Sequence, residues 1–173
     1  MQWYETIFEF IDMRSFSNLW FWIALAVMWS TASHWVLGVP HDMVLRARRS
    51  GGQTQTDMEM LVRINSDRML YIGRQAGLWL VGIVSLLMSG LLLLGFVYDV
   101  EFAQAVFCLA APMTLVGALS LRTAHRIEVQ QPQGAALHRT LMRHRTVTQG
   151  IGMVSIFGTA MWGMYQNLSI GAL

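Results

Sequence analysis

The sequence has little charge and no lysine. Of its 173 residues, 13% are charged and 54% are hydrophobic, and all twelve basic residues are arginine. A soluble domain has about 25% charged residues. This composition therefore argues against a soluble domain, a disordered chain and a nucleic-acid-binding module, and it favours a polytopic membrane protein.

The sequence also lacks the patterns that carry chemistry. Cys108 is the single cysteine, so an internal disulfide and a cysteine-based metal site are both excluded. The N-terminus has no basic region followed by a cleavage site, so we expect the first hydrophobic run to stay in the mature protein. No phosphate-binding loop, Gly-x-Ser-x-Gly or His-Glu-x-x-His motif is present. We therefore predict no catalytic, cofactor-binding or metal-ligating residues, and no enzyme.

Four stretches are long enough and apolar enough to cross a membrane. A bilayer core needs about 20 apolar residues in a helix. The stretches that meet this requirement are residues 19–39, 77–98, 102–121 and 147–167. The sequence therefore predicts a single integral membrane domain, residues 1–173, of the all-α class with four transmembrane helices.

The positions of the arginines predict the orientation of these helices. Eleven of the twelve arginines lie in segments 40–76 and 122–146, whereas the turn 99–101 holds two acids and no base. Basic segments stay on the cytoplasmic side of a bacterial membrane. We therefore expect two basic cytoplasmic helical loops, with both chain termini outside (N-out/C-out).

The segments outside the predicted spans have helical patterns of their own. Residues 2–13 place three acids on one side of a helix and apolar residues on the other, which predicts an amphipathic helix in the outer interface or, alternatively, a docking surface. Gly51 and Gly52 predict a break in the first loop, and Thr56 with Glu59 predicts a capping box that opens the next helix. A second break is expected at 131–134.

His34 is the one strongly polar ionisable side chain within a predicted span. An intramembrane histidine is by default a functional-site hypothesis. His34 lies five residues before the cytoplasmic end of its span, which is about 7 Å along a helix axis. We therefore favour interfacial hydrogen bonding, and leave a contact in a partner complex and cofactor ligation as alternatives.

Two kinds of residue point to packing and lipid contacts. Small residues let helix backbones approach closely in lipid, and they recur at helical spacing at Ser85 and Ser89, and at Gly152, Ser155, Gly158, Thr159 and Gly163. We predict helix packing there, within the chain or against a partner. Arginines near the bilayer attract anionic headgroups, and the candidates are Arg46, Arg48, Arg49, Arg139, Arg143 and Arg145.

Several runs of the sequence resemble a known family. They are MRSFSNLWFWIALAVMWS (13–30), SHWVLGVPHDMVLRARR (33–49), VEFAQAVF (100–107) and TAMWGMYQNLSIG (159–171). These runs are similar to small alphaproteobacterial four-helix inner-membrane proteins, which often carry a label tying them to the SUF (SufBCD) iron–sulfur assembly complex. The resemblance implies a location in the bacterial inner membrane and carries over no site residue.

Taken together, these patterns predict a non-catalytic accessory, assembly or stabilising subunit. We expect it to dock through its transmembrane helices onto a larger integral membrane complex of the respiratory, photosynthetic or iron–sulfur machinery. The expected partners are that complex and membrane lipids, including anionic headgroups, with no cofactor and no nucleic acid. A homo-oligomeric channel or small-solute transporter is the alternative, and a haem- or metal-dependent membrane enzyme is a third hypothesis.

Overall fold

The fold is all-α apart from one short hairpin. The structure, a computed structural model, describes residue 16 and residues 18–171, with side chains up to residue 168. In chain order the elements are α1 (Leu19–His34), β1 (Trp35–Val36), β2 (Val39–Pro40), α2 (His41–Ser50), α3 (Gly52–Leu92), α4 (Glu101–Gln130) and α5 (Gly134–Gly171). A π-helical turn, Leu93–Val97, ends α3. The predicted amphipathic helix at 2–13 lies outside the described residues.

The first predicted span ends earlier than its hydrophobicity indicated. Residues 19–39 were expected to form one helix, but α1 ends at His34 and the chain folds into an antiparallel hairpin in which Val36 pairs with Val39. Leu37 and Gly38 both have positive φ, 51° and 73°. Two positive φ angles match the twist of a two-residue hairpin turn. Because the chain turns here, the helix stops short of residue 39, and the turn places Leu37 in a buried core.

The first basic segment is helical, as predicted, but its helix starts differently. α2 ends at Ser50 and α3 begins at Gly52, so the break at the two glycines is confirmed. The capping box is wrong, because α3 has already begun when Thr56 is reached. The Thr56 hydroxyl donates to the carbonyl of Gly52 at 3.4 Å, and the Glu59 carboxylate accepts from the backbone N–H of Gly134.

The second basic segment consists of the ends of two long helices. α4 runs to Gln130 and α5 starts at Gly134, so the predicted break at 131–134 is confirmed. Gln131 adopts the left-handed conformation that often ends a helix. Arg74 of α3 forms an ion pair with Glu128 of α4, with Nη2 and Oε2 2.7 Å apart. This ion pair joins the two basic segments close to residues 131–133, which connect α4 to α5.

Two clusters of buried side chains hold the helices together. The basic-end core unites the hairpin, α2, α3, α4 and α5, and its members are Val36, Leu37, Val39, Val44, Ala47, Met58, Val62, Ile127, Leu137 and Leu141. The span core unites α1 and α4, with Ile151 of α5 packed against it, and it is built on Leu25, Trp29 and Val116. Both predicted loops therefore contribute to one core at the same end of the molecule.

Two helices in the described part of the chain are long enough and apolar enough to cross a membrane. They are α3 with its π turn, Gly52–Val97, and α4, Glu101–Gln130. The other two predicted spans fall in α1, which has 16 residues, and in α5.

Candidate functional site

The apolar part of α3 forms a face that the rest of the chain leaves uncovered. Of the most apolar stretch of α3, 6% is buried, against 22% for the corresponding stretch of α4. Leu78, Trp79 and Leu86 are 88%, 76% and 73% exposed. With Gly82 and Ile83 they line a shallow groove of about 460 Å³. We call this groove the α3 groove.

The small residues of α3 lie on this open side. Ser85 and Ser89 are both exposed. A Cβ added at Gly82 would meet no atom of the chain within 4 Å. A helix from outside the described chain could therefore approach α3 closely at these three positions.

The small residues of α5 have a different environment. A Cβ at Gly152 would come within 2.7 Å of the Trp29 ring, and one at Gly163 within 3.2 Å of the Phe16 ring. Thr159 is buried, whereas Gly158 is exposed. The Ser155 hydroxyl is buried and has no hydrogen-bond partner among the described residues. Most of this stripe therefore packs against the chain's own helices.

A polar cluster that sequence reasoning missed lies at the end opposite the basic-end core. Gln104 is fully buried, and its amide donates to the Gly95 carbonyl at 2.7 Å. Its Oε1 accepts from the Trp162 indole at 3.0 Å and from the Gln166 amide at 2.6 Å. The Gly95 carbonyl belongs to the last turn of its helix, where carbonyls lack helical partners. One side chain thus links the end of α3 to α4 and α5.

His34 lies at the last position of α1, next to the hairpin. Its side chain is 54% exposed, and Nε2 lies 3.5 Å from the Asp42 carboxylate. The His34 and Trp35 rings meet edge to face, with centroids 6.0 Å apart. This geometry matches a polar residue at the edge of an apolar helix.

The six arginines named as lipid candidates fall into separate places. Arg46 and Arg49 are exposed on α2, and Arg48 lines a cleft beside the start of α5. Arg145 faces α1, where its Nε donates to the Ser33 carbonyl at 3.2 Å. Arg139 and Arg143 line another cleft, between α4 and α5.

Two histidines of the second basic segment are held by neutral partners. His138 Nε2 donates to the Gln55 carbonyl oxygen at 2.8 Å, and burial, aided by Arg48, lowers the pKa of His138. His144 is 5% exposed, with Nδ1 3.2 Å from the Thr123 hydroxyl. Burial also lowers the pKa of His144, so its neutral form is favoured near neutral pH.

Metal-ligating side chains are scattered in the part of the chain that the structure describes. No three His, Cys, Asp or Glu residues within it come together in a group that could hold a metal ion. Comparison with known proteins found no matching family model, curated protein or solved structure.

Proposed function

We propose that this chain is a multi-pass protein of the bacterial inner membrane that acts as a non-catalytic accessory or assembly subunit. It docks through its transmembrane helices onto a larger integral membrane complex. The observation that carries the proposal is the α3 groove, because α3 contains the more apolar of the two stretches that could cross a membrane, and the fold covers that stretch less than the one in α4.

Four spans with both termini outside agree with the way the helices pair. The two arginine-rich segments share one core, in which Met58 of α3 contacts the same cluster as Ile127 and Leu137. At the opposite end Gln104 connects the end of α3 to α5. In this arrangement both basic segments lie on the cytoplasmic side, as expected for arginine-rich segments. The resemblance to small inner-membrane proteins supports the same location.

Docking through α3 follows from how the small residues are divided. Those at Gly152 and Gly163 are used inside the chain, against Trp29 and Phe16. Gly82 instead lies between large exposed side chains and forms the floor of a concave surface. Small residues flanked by large ones allow close helix–helix packing in lipid, and tryptophan is a frequent anchor of protein interfaces. The α3 groove therefore suits a helix of another membrane protein.

Photo-crosslinking in native membranes tests this proposal. A photoreactive amino acid replaces Leu86, in the α3 groove, or Phe157, an equally apolar control position that is 69% exposed on α5. We expect a discrete adduct with another membrane protein from position 86 and none from position 157. Gly82→Leu, which fills the groove where no atom of the chain lies within 4 Å, should abolish the adduct.

Two results would contradict docking onto a larger complex. Lipid adducts alone at both positions would mean that α3 simply faces the bilayer. Adducts only between copies of this chain would favour the homo-oligomeric channel or transporter instead.

A further inference from the structure

A basic cleft opens where α4 and α5 extend beyond their apolar parts. Its volume is about 640 Å³, within the range of small-molecule sites. Four arginines line it, Arg122 and Arg126 on α4 and Arg139 and Arg143 on α5. Each pair is spaced four residues apart, so both pairs present their side chains on one helix face.

These four guanidinium groups have no counter-charge among the residues that the structure describes. None of them forms an ion pair or hydrogen bond with any other described residue. Glu128 is the one carboxylate between Arg122 and Arg145 in the sequence, and it is paired with Arg74 and His125 instead. Like charges four residues apart on a helix repel each other. All four arginines are exposed, so water and salt screen part of this repulsion, and an anion bound in the cleft would relieve the rest.

Three of the four neutral polar side chains that line the cleft, all except Gln130, are already engaged. The hydroxyl of Thr123 donates to the Leu119 carbonyl at 2.8 Å, and that of Thr140 donates to the Ala136 carbonyl at 3.0 Å. His144 is held by Thr123. Recognition of an anionic ligand thus falls to the arginines, with Gln130 beside them. The planar forks of the arginines match the oxygen atoms of a phosphate.

The cleft is apolar at one end. Leu119 and Val147 line it at the ends of the predicted spans 102–121 and 147–167, whereas Arg126 and Arg139 lie farther along the helices. A ligand that fills the cleft would place its anionic part among the arginines and an apolar part beside the membrane. A phosphodiester with attached acyl chains has both an anionic and an apolar part, whereas a free phosphate ester has only the anionic part.

We propose that this cleft binds the phosphodiester headgroup of one anionic membrane lipid, such as phosphatidylglycerol. A soluble phosphate ester could be held by the same arginine forks, so the test has to distinguish it from the lipid. The inference rests on the membrane location proposed above, but not on docking through α3.

The test is native mass spectrometry of the full chain, delipidated in mild detergent and titrated with phosphatidylglycerol. The test variant is Arg126→Gln with Arg143→Gln, because both arginines line this cleft and neither lines the neighbouring one. The matched control is Arg63→Gln with Arg68→Gln, which removes the same charge from α3 at two arginines that line neither cleft. Glutamine and arginine have similar helix propensity, so the helices should persist.

We expect one saturable phosphatidylglycerol per chain in the wild type and in the control. Binding should weaken about 25-fold in the test variant, since each of the two arginines near a membrane surface contributes about a fivefold factor. Arg126→Lys with Arg143→Lys retains the charge without the forks and should give an intermediate loss, which distinguishes recognition from misfolding. Carbonate extraction of each variant from membranes separates loss of lipid binding from loss of membrane insertion.

Three outcomes would overturn the proposal. Equal weakening of lipid binding in the test and control variants would show that binding depends on the net charge of the chain and not on this cleft. Unchanged binding in the test variant would place the lipid elsewhere. Displacement of phosphatidylglycerol by an equal concentration of glycerol phosphate would assign the cleft to a soluble phosphate ester.

Discussion

The backbone of Gly152 lies against the indole ring of Trp29. A Cβ at Gly152 would come within 2.7 Å of Trp29 Cε3, a distance that side-chain carbons do not tolerate. Trp29 is itself 4% exposed and belongs to the span core. The contact joins α1 to α5 at closer range than any other residue type at position 152 would allow.

The closeness of Gly152 and Trp29 makes position 152 sensitive to one added methyl group. Gly152→Ala should lower the free energy of unfolding by about 1–3 kcal/mol, the usual cost of overpacking a core. Gly158→Ala is the matched control on the same helix, since its Cβ would meet nothing within 4 Å. Thermal unfolding in detergent, followed by circular dichroism, compares the two. Equal stability of both variants would show that α1 and α5 are not packed in this way.

Removing the Gln104 amide should weaken the opposite end of the bundle. Gln104→Leu leaves the buried Gly95 carbonyl without its side-chain donor and the half-buried Trp162 indole N–H without its acceptor. We expect a loss of about 1–3 kcal/mol in the free energy of unfolding, the cost of unsatisfied buried polar groups. Gln133→Leu, at an exposed position between α4 and α5, is the control. A loss no greater than that of the control would contradict the cluster.

Acid should destabilise the chain in part through His144. Because burial lowers the pKa of His144 below its ordinary value of 6.5, the unfolded chain takes up the proton first as pH falls. The stabilising contribution is therefore complete above pH 6.5 and is lost as pH falls below it. His41 and His138 have pKa values lowered in the same direction. His144→Gln should thus reduce, but not abolish, the loss of stability in urea unfolding between neutral and acidic pH. An identical pH dependence in the variant would refute this role for His144.

His34 should be dispensable for folding. Its side chain is half exposed and contacts Asp42 at 3.5 Å, and exposed pairs of this kind contribute little to stability. We expect His34→Ala to change the free energy of unfolding by less than about 0.5 kcal/mol, in the range of ordinary surface substitutions. A visible absorbance spectrum of the purified protein checks the cofactor alternative, since bound haem lost in His34→Ala would give His34 a ligating role.

The helical elements followed from hydrophobic runs and glycine breaks, whereas features made by contacts between distant residues did not. The apolar run at 77–98 and the breaks at 51–52 and 131–134 are local properties of the sequence, and the helices follow them. The hairpin after His34 was missed because residues 35–39 are as apolar as a span. Val36, Leu37 and Val39 of this stretch are buried in a core with α3 and α5 instead of in lipid.

The sequence indicated some residues of the candidate sites but not which of them lie together in the fold. Arg139 and Arg143 stood out as a basic pair, but Arg122 and Arg126 join them only because α4 and α5 are antiparallel beyond their apolar parts. Gln104 carried one recognisable sign, an amide at the start of an apolar stretch. Its partners Gly95 and Trp162 are distant in sequence, and no local pattern connects them.

We propose that the chain crosses the membrane with both arginine-rich segments on the cytoplasmic side. The most direct measurement is labelling of single cysteines with a membrane-impermeant maleimide, in a Cys108→Ser background, on intact spheroplasts and on inverted vesicles. The positions are Ser50→Cys at the end of α2, and Gln133→Cys and Tyr98→Cys between helices, and all three are exposed. We expect positions 50 and 133 to react only in inverted vesicles and position 98 to react in spheroplasts. Labelling of position 50 or 133 in spheroplasts, or of all three positions from one side, would contradict it.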